Sequence, residues 1–288
     1  MLRFLKWIAI IVVIALVIGL AYLAWPQIDP SRNVYAVDIP IEGNPGDCEG
    51  TVRFAVLGDY GEAGQAEADV AKMVNSWAVD FIVTVGDNNY PNGSAATIDE
   101  NIGQYYQDYI YPYVGDYGAG ATENRFFPAL GNHDWRTSSL QPYLDYFSLP
   151  GNERYYDVNF GPVHLFVVDS DSMEPDGRTA DSVQAQWLQT QMEASTAPWK
   201  IVSLHHAPFT SGSKHGDNAT LQWPFAEWGA TAVLAGHEHL YERILADDIV
   251  YFVNGLGGRK RIYRFGPPRD GSVVRYNRDY GAMLVNAD

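Results

Sequence analysis

Apolar and polar positions along this chain fall into short alternating blocks. Residues 52–57 and 81–85 are short apolar runs of the β type, read as the first two strands. Between them, Val70, Met73, Val74 and Trp77 recur at helical spacing within residues 62–78. Downstream, Ile98, Ile102, Tyr105, Tyr109 and Ile110 predict a helix over 97–111, and residues 126–130 a third strand. Residues 155–160 and 163–168, on either side of Gly161-Pro162, predict a hairpin. Val183, Trp187, Leu188 and Met192 predict a helix over 181–194. A further helix is expected around 221–228, between strands at 200–204 and 232–234. Residues 249–254, 261–265 and 272–286 read as late β-type segments. Strands alternating with helices predict an α/β fold, and the hairpins add antiparallel strands to it.

The N-terminal pattern is different. Residues 7–25 carry no charge, are mostly aliphatic, and follow Arg3 and Lys6. Roughly 20 apolar residues in a helix span a bilayer, and Trp7, Tyr22 and Trp25 suit its interfaces. The run ends in Tyr22-Leu23-Ala24-Trp25-Pro26, which offers no small-x-small cleavage site, and no lipobox cysteine adjoins it. We therefore expect a transmembrane signal anchor over 1–25, a linker rich in Pro, Asn, Gly and Asp over 26–50, and one folded domain over 51–288. The preceding cations predict a cytoplasmic N-terminus and an extracytoplasmic domain. Cleavage of the segment, the alternative, would make the domain secreted.

Composition narrows the function classes. Of 288 residues, 47% are hydrophobic and 19% charged, with a formal net charge of −16. A surface this acidic repels nucleic-acid phosphates, so no nucleic-acid partner is expected. Phosphate esters remain accessible if metal ions make the site locally cationic. The single cysteine, Cys48, excludes an intrachain disulfide and a thiolate metal cluster.

The candidate chemistry lies immediately after each apolar run. Residues 52–57 lead to Gly58-Asp59, and 81–85 to Gly86-Asp87. Residues 126–130 lead to Gly131-Asn132-His133-Asp134, 200–204 to His205-His206, and the run ending at Ala235 to Gly236-His237-Glu238-His239. In open α/β sheets, ligand sites lie beyond the carboxyl ends of the strands, so these residues are expected to converge. Carboxylates, an amide oxygen and imidazoles without thiolate suit Fe, Mn or Zn. Six or more ligands exceed what one tetrahedral zinc needs, and two ions sharing a carboxylate fit better.

In order, the pieces are Gly58-Asp59-Tyr60-Gly61, Gly86-Asp87-Asn88-Asn89-Tyr90, Gly131-Asn132-His133-Asp134, Val202-Ser203-Leu204-His205 and Gly236-His237-Glu238-His239. Together they resemble the calcineurin-like metallophosphoesterase superfamily. Tyr90, three residues after Asp87, narrows the resemblance to the purple acid phosphatases, including the small tartrate-resistant type. The resemblance covers roughly residues 51–285. It implies two packed mixed β-sheets flanked by helices, an αββα sandwich. It also implies one ion on Asp59, Asp87, Tyr90 and His239 and a second on Asp87, Asn132, His205 and His237. Tyr90 as phenolate favours Fe(III), with Fe, Zn or Mn(II) beside it. His133 matches the family histidine that contacts phosphate and assists the leaving group, with Asp134 expected to orient it by a hydrogen bond. His215, in Ser211-Gly212-Ser213-Lys214-His215-Gly216, resembles a loop histidine that reaches substrate. Tyr241-Glu242-Arg243 matches the family and is expected to be structural, as is His164. His206 stays ambiguous, and Glu238 points away from the metals by alternation.

The implied activity is hydrolysis of a small phosphate monoester by in-line attack of a metal-bound hydroxide. The alternatives are a phosphodiesterase or nucleotide-cleaving relative, a monozinc hydrolase, and an inactive membrane-tethered binding protein. The basic run Arg259-Lys260-Arg261 is a candidate anion contact or a solvated strand start. The family's final sheet normally continues past a segment like 280–286, whereas this chain stops at Asp288, which leaves the completeness of the second sheet open.

Overall fold

The computed structural model describes residues 51–137 and 140–288. The expected membrane segment, the linker and Cys48 lie outside the described residues. Among the described residues, no helix is long and apolar enough to cross a membrane.

Two sheets carry the fold. The first has four strands in the order β11-β1-β2-β3, from β1 (Val52–Leu57), β2 (Phe81–Thr84), β3 (Phe126–Pro128) and β11 (Met283–Ala287). β1, β2 and β3 are parallel, and β11 pairs antiparallel with β1. The second has seven strands in the order β10-β8-β9-β7-β6-β5-β4. These are β4 (Tyr156–Phe160), β5 (Val163–Val167), β6 (Trp199–His206), β7 (Ala232–Gly236), β8 (Tyr241–Ala246), β9 (Ile249–Asn254) and β10 (Ser272–Tyr276). β5, β6, β7 and β9 run parallel, with antiparallel strands outside them.

Three apolar clusters explain the layering. Phe54, Val56, Phe81, Val83 and Phe127 of the first sheet meet Leu165, Val167, Ile201 and Leu234 of the second. Outside the first sheet, Val70, Ala71 and Val74 of helix α1 (Gln65–Ser76) cover Ala55, Leu57 and Ile82. Helix α2 (Gln141–Tyr146) adds Tyr143 and Tyr146 there. Outside the second sheet, helix α3 (Val183–Ala194) packs Ala185, Leu188 and Met192 on Phe166, Val202 and Val233. Alternate residues of each strand thus serve the inner and outer layers, and the expected two-sheet α/β sandwich is what forms. A cavity of about 690 Å³ between β11 and the second sheet is lined by Phe54, Ile201, Leu234, Phe252 and Met283, and holds none of the candidate ligands.

Besides α2, which the apolar pattern does not predict, four segments differ from the sequence expectation. The helix expected around 221–228 is a 3-10 turn at Ala219–Leu221 followed by turns. Pro224 disfavours the helical conformation at Trp223, while Leu221, Trp223, Phe225 and Trp228 still bury. Residues 261–265 make only an isolated bridge, Phe265 to Gly212. Their backbone serves the site instead, with Tyr263 N donating to His239 O. Strand β8 escaped notice because its inward Glu242 breaks the apolar alternation. Its carboxylate is satisfied by Thr210 Oγ1 and Ser211 N, at 3.1 and 2.6 Å. The β8–β9 hairpin turns on Asp247-Asp248, both at positive φ as a two-residue turn requires. The expected helix over 97–111 forms as a π turn (Asp99–Gly103), an α turn (Gln104–Tyr106) and a 3-10 turn (Gln107–Tyr109). The wider π turn rotates the face, so Tyr106 rather than Tyr105 is fully buried.

One buried acid should make stability pH-dependent. Glu67, in the first turn of α1, is fully buried and has no ion pair among the described residues. Burial pushes its carboxyl well above the ordinary 4.5, and Glu62 adds repulsion. A folded pKa above the unfolded one stabilises fully below the unfolded value, and the contribution is lost as pH rises through the raised value. Glu67→Gln should therefore gain in Tm relative to the wild type as pH rises from about 5 to about 8. A Tm difference that stays constant with pH would refute this.

Candidate metal centre

The carboxyl ends of β1, β2, β3, β6 and β7 meet at one edge of the sandwich. Asp59, Asp87, Asn132 and His237 stand in the turns after their strands, and His205 near the end of β6. Asp59, Asp87 and His237 have φ of 52°, 54° and 69°, left-handed values that cost a non-glycine residue about 1–2 kcal/mol each. Strain of this kind clusters at functional sites and persists because surrounding contacts hold it. Here Asp59 N donates to Gly86 O at 3.0 Å, His237 N to Asp59 Oδ2 at 2.8 Å, and His133 N to Asp87 Oδ1 at 2.8 Å. Gly131 lets the third turn approach the second: a Cβ there would lie 2.2 Å from Asp87 N.

Two donor groups result, and they share Asp87. On one side Tyr90 Oη lies 2.7 Å from Asp87 Oδ2, 3.2 Å from Asp59 Oδ1 and 3.4 Å from His239 Nε2. His239 Nε2 is 3.3 Å from Asp59 Oδ1. On the other side His205 Nε2 lies 3.4 Å from Asp87 Oδ1, 3.2 Å from Asn132 Oδ1 and 3.1 Å from His237 Nδ1. Ligand atoms of Asp59, Asp87 and His205 all fall within 4.8 Å of one another. All seven residues expected as ligands are brought together.

The chemistry of this donor set fits metal ions. His205 Nδ1 faces Val85 O at 2.8 Å and His239 Nδ1 faces Arg261 O at 2.9 Å. A carbonyl only accepts, so each Nδ1 carries the proton and each Nε2 presents a lone pair to the centre. Lone pairs of imidazole, amide and carboxylate then face one another at hydrogen-bond distance, an arrangement that asks for a cation. The two carboxylates also give the site a field that favours positive charge. Burial would raise Asp59, but His239, His205 and the His237 amide outweigh it and hold the carboxyl below its usual range. Burial would lower His205 and His239, but Asp87 and Asp59 raise the first and Asp59 the second. His237, desolvated and crowded by His205 and His206, is driven far down. Tyr90 is pushed well up by burial and then by Asp87 and Asp59, so only a cation at the oxygen would draw it to phenolate.

Residues around the donors separate into distinct roles. His133 packs on Tyr90 with ring centroids 4.3 Å apart, and its Nε2 lies 3.9 Å from Asp87 Oδ2. Its Nδ1 meets Pro91 O at 2.7 Å, so Asp134 does not orient it as expected. The Asp134 carboxylate is taken up by the amides of Asn88, Asn89 and Gly131 and by Asn88 Nδ2, at 2.8–3.2 Å. It clamps the second turn to the third, and the ring of its neighbour is left to a carbonyl. His215 is exposed, with its ring 3.9 Å from that of His237. His206 bonds Ser170 Oγ at 2.9 Å, and its ring stands 4.4 Å from His237. His164 pairs with Asp157 and Ser195, as a structural histidine. Of the basic run, Arg259 ion-pairs with Glu62 and lies 4.5 Å over the Tyr90 ring. Nothing local in the sequence signals this contact. Nor does alternation, which turns Glu238 away from the donor atoms, signal that Glu238 holds the loop of His215.

The profile of the calcineurin-like phosphoesterase family matches residues 52–241. Purple acid phosphatase 17 of Arabidopsis thaliana is 28% identical over 251 residues, covering 75% of this chain and 71% of its own. The mouse tartrate-resistant acid phosphatase type 5 is 24% identical over 246 residues, covering 72% of each. Among solved structures, a purple acid phosphatase from yellow lupin seeds superposes with a TM-score of 0.68 at 16% identity, over 85% of this chain and 50% of that one, a likeness of fold. The chain belongs to the calcineurin-like phosphoesterase family, resembles the purple acid phosphatases within it, and is accordingly a metal-dependent phosphoesterase.

Proposed function

We propose that this protein hydrolyses phosphate monoesters at a binuclear centre. Asp59, Asp87, Tyr90 and His239 would hold Fe(III), and Asp87, Asn132, His205 and His237 an Fe, Zn or Mn(II) ion. The observation that carries this reading is Asp87, whose Oδ2 faces the tyrosine side and whose Oδ1 faces the histidine side, at 2.7 and 3.4 Å. When bound, such a pair of cations supplies Lewis acidity toward phosphate oxygens and acidifies water.

The chain's own residues do the rest. The Asn132 amide, beside His205, stands where a phosphate oxygen could meet its Nδ2 donor while Oδ1 faces the centre. His133 keeps Nδ1–H on Pro91 O, which fixes the ring and leaves Nε2 to exchange a proton with the leaving oxygen. Burial lowers its pKa, so its imidazolium is the stronger acid toward an alkoxide. His215, exposed above His237, adds a second imidazole on the solvent side.

The test is metal content, visible spectrum and turnover on one preparation. We expect two ions per chain, a charge-transfer band from tyrosinate–Fe(III), and faster turnover of an aryl phosphate than of a bis-aryl phosphate. A single zinc per chain, or the reverse rate order, would overturn the proposal in its metal or substrate half respectively.

A further inference from the structure

We propose that Glu238 is a positioning residue that sets His215 over the metal centre. The inference rests on the reading of His215 as a substrate-side residue. Glu238 sits between His237 and His239, and alternation sends its side chain away from the donor atoms. It is fully buried and has no ion pair among the described residues. One oxygen, Oε1, accepts both the His215 and the Gly216 amide, the latter at 3.0 Å. The loop leaves room for this carboxylate at Gly212, where a Cβ would come within 2.3 Å of Glu238 Cδ.

The loop from Ser211 to Gly216 contains no regular element beyond the isolated bridge of Gly212 to Phe265. Its start is fixed independently. Ser211 N donates to Glu242 Oε2 at 2.6 Å, and Ser213 N to Arg264 O at 3.0 Å. Among the described residues, the backbone amides at its tip, those of His215 and Gly216, are held by Glu238. The backbone of residues 237–239 is itself tied to the centre through His237 N on Asp59 Oδ2, at 2.8 Å. Glu238 therefore transmits the position of the metal shelf to the loop tip, and His215 lands on His237 with an interplanar angle of 34°. A shift of about 1 Å in such a group costs up to about 10²-fold in rate.

A double-mutant cycle on the metal-loaded full chain separates positioning from general support. Glu238→Ala should lower kcat/KM on an aryl phosphate about as much as His215→Ala, by about tenfold or more, with metal content unchanged. The double variant should be no worse than His215→Ala alone, because both act through one group. Glu238→Gln keeps an acceptor oxygen and should recover most of the loss. Gly212→Ala, which replaces none of the candidate ligands, should displace the carboxylate and reproduce the Glu238→Ala effect. Affinity for inorganic phosphate, measured calorimetrically, should fall in parallel in Glu238→Ala, His215→Ala and Gly212→Ala and recover in Glu238→Gln. That readout stands even if the wild type turns over no monoester, so the two readings fail separately. Independent, multiplying losses from Glu238→Ala and His215→Ala would overturn the proposal, as would wild-type kinetics and phosphate affinity in both Glu238→Ala and Gly212→Ala.

Discussion

Replacing Asp87 with alanine should abolish metal binding at both positions and lower turnover by at least about 10³-fold, beyond the loss of a single oxyanion donor. Among the described residues, Asp87 is the carboxylate that turns one oxygen to each donor group, Oδ2 to Tyr90 and Oδ1 to His205. Asp59 Oδ1 reaches Tyr90 and His239, while its Oδ2 is taken by the His237 amide. The variant should nevertheless fold. Asp87 stands in a turn beyond β2, and the strands beneath it are held by apolar packing between the sheets. The metal-free variant should even match or exceed the metal-free wild type in Tm. Asp134 is held up to about 7 by burial and, next, by the charge of Asp87, so removing Asp87 relieves a repulsion in the apoprotein. Sites arranged for function often cost stability in this way. Elemental analysis, turnover and Tm on the same samples check all three statements. Two retained ions with a wild-type rate would end the account of Asp87 as the shared ligand.

The convergence of the candidate ligands is legible in the sequence because it obeys a topological rule. A parallel strand delivers its next residue to the carboxyl edge, and five strands here deliver Asp59, Asp87, Asn132, His205 and His237 to the same edge. Tyr90 and His239 come within three residues of two of these. The strands were legible for a related reason, since burial on both faces leaves uninterrupted apolar runs. Side-chain direction in the turns was not legible. Asp134 comes directly after His133, yet its carboxylate turns to the amides of residues 88, 89 and 131. Glu238 was set aside for facing away from the metals, although the loop of His215 lies on that side. The placement of Arg259 over Tyr90 joins residues distant in sequence and has no local pattern. Strand β8 and the failed helix near 221 show the same limit. A buried Glu242 with long-range partners erases the apolar period, while Leu221, Trp223, Phe225 and Trp228 bury as loop residues.

Gly131→Ala should impair the enzyme almost as severely as loss of a ligand while leaving the ligand set intact. The backbone at Gly131 is not at positive φ, so alanine is acceptable there on torsional grounds alone. The obstacle is space: the new Cβ would lie 2.2 Å from Asp87 N and 2.3 Å from Asp87 Oδ1. Much of that contact is backbone, which cannot swing aside, so the second and third turns must separate. Separation breaks His133 N on Asp87 Oδ1, at 2.8 Å, and loosens the clamp of Asp134 on both turns. Asn132, His133 and Asp87 then lose their common register, and a displacement of about 1 Å between them predicts at least ~10²-fold lower kcat/KM with weakened metal retention. Gly281→Ala is the matched control. A Cβ there meets nothing within 4 Å, and the Gly281 N–H keeps its bond to Leu256 O at 2.8 Å. It should leave turnover unchanged and raise stability by up to about 1 kcal/mol through the unfolded chain. Equal activity in the two variants would mean that the turns do not need the close approach that Gly131 permits.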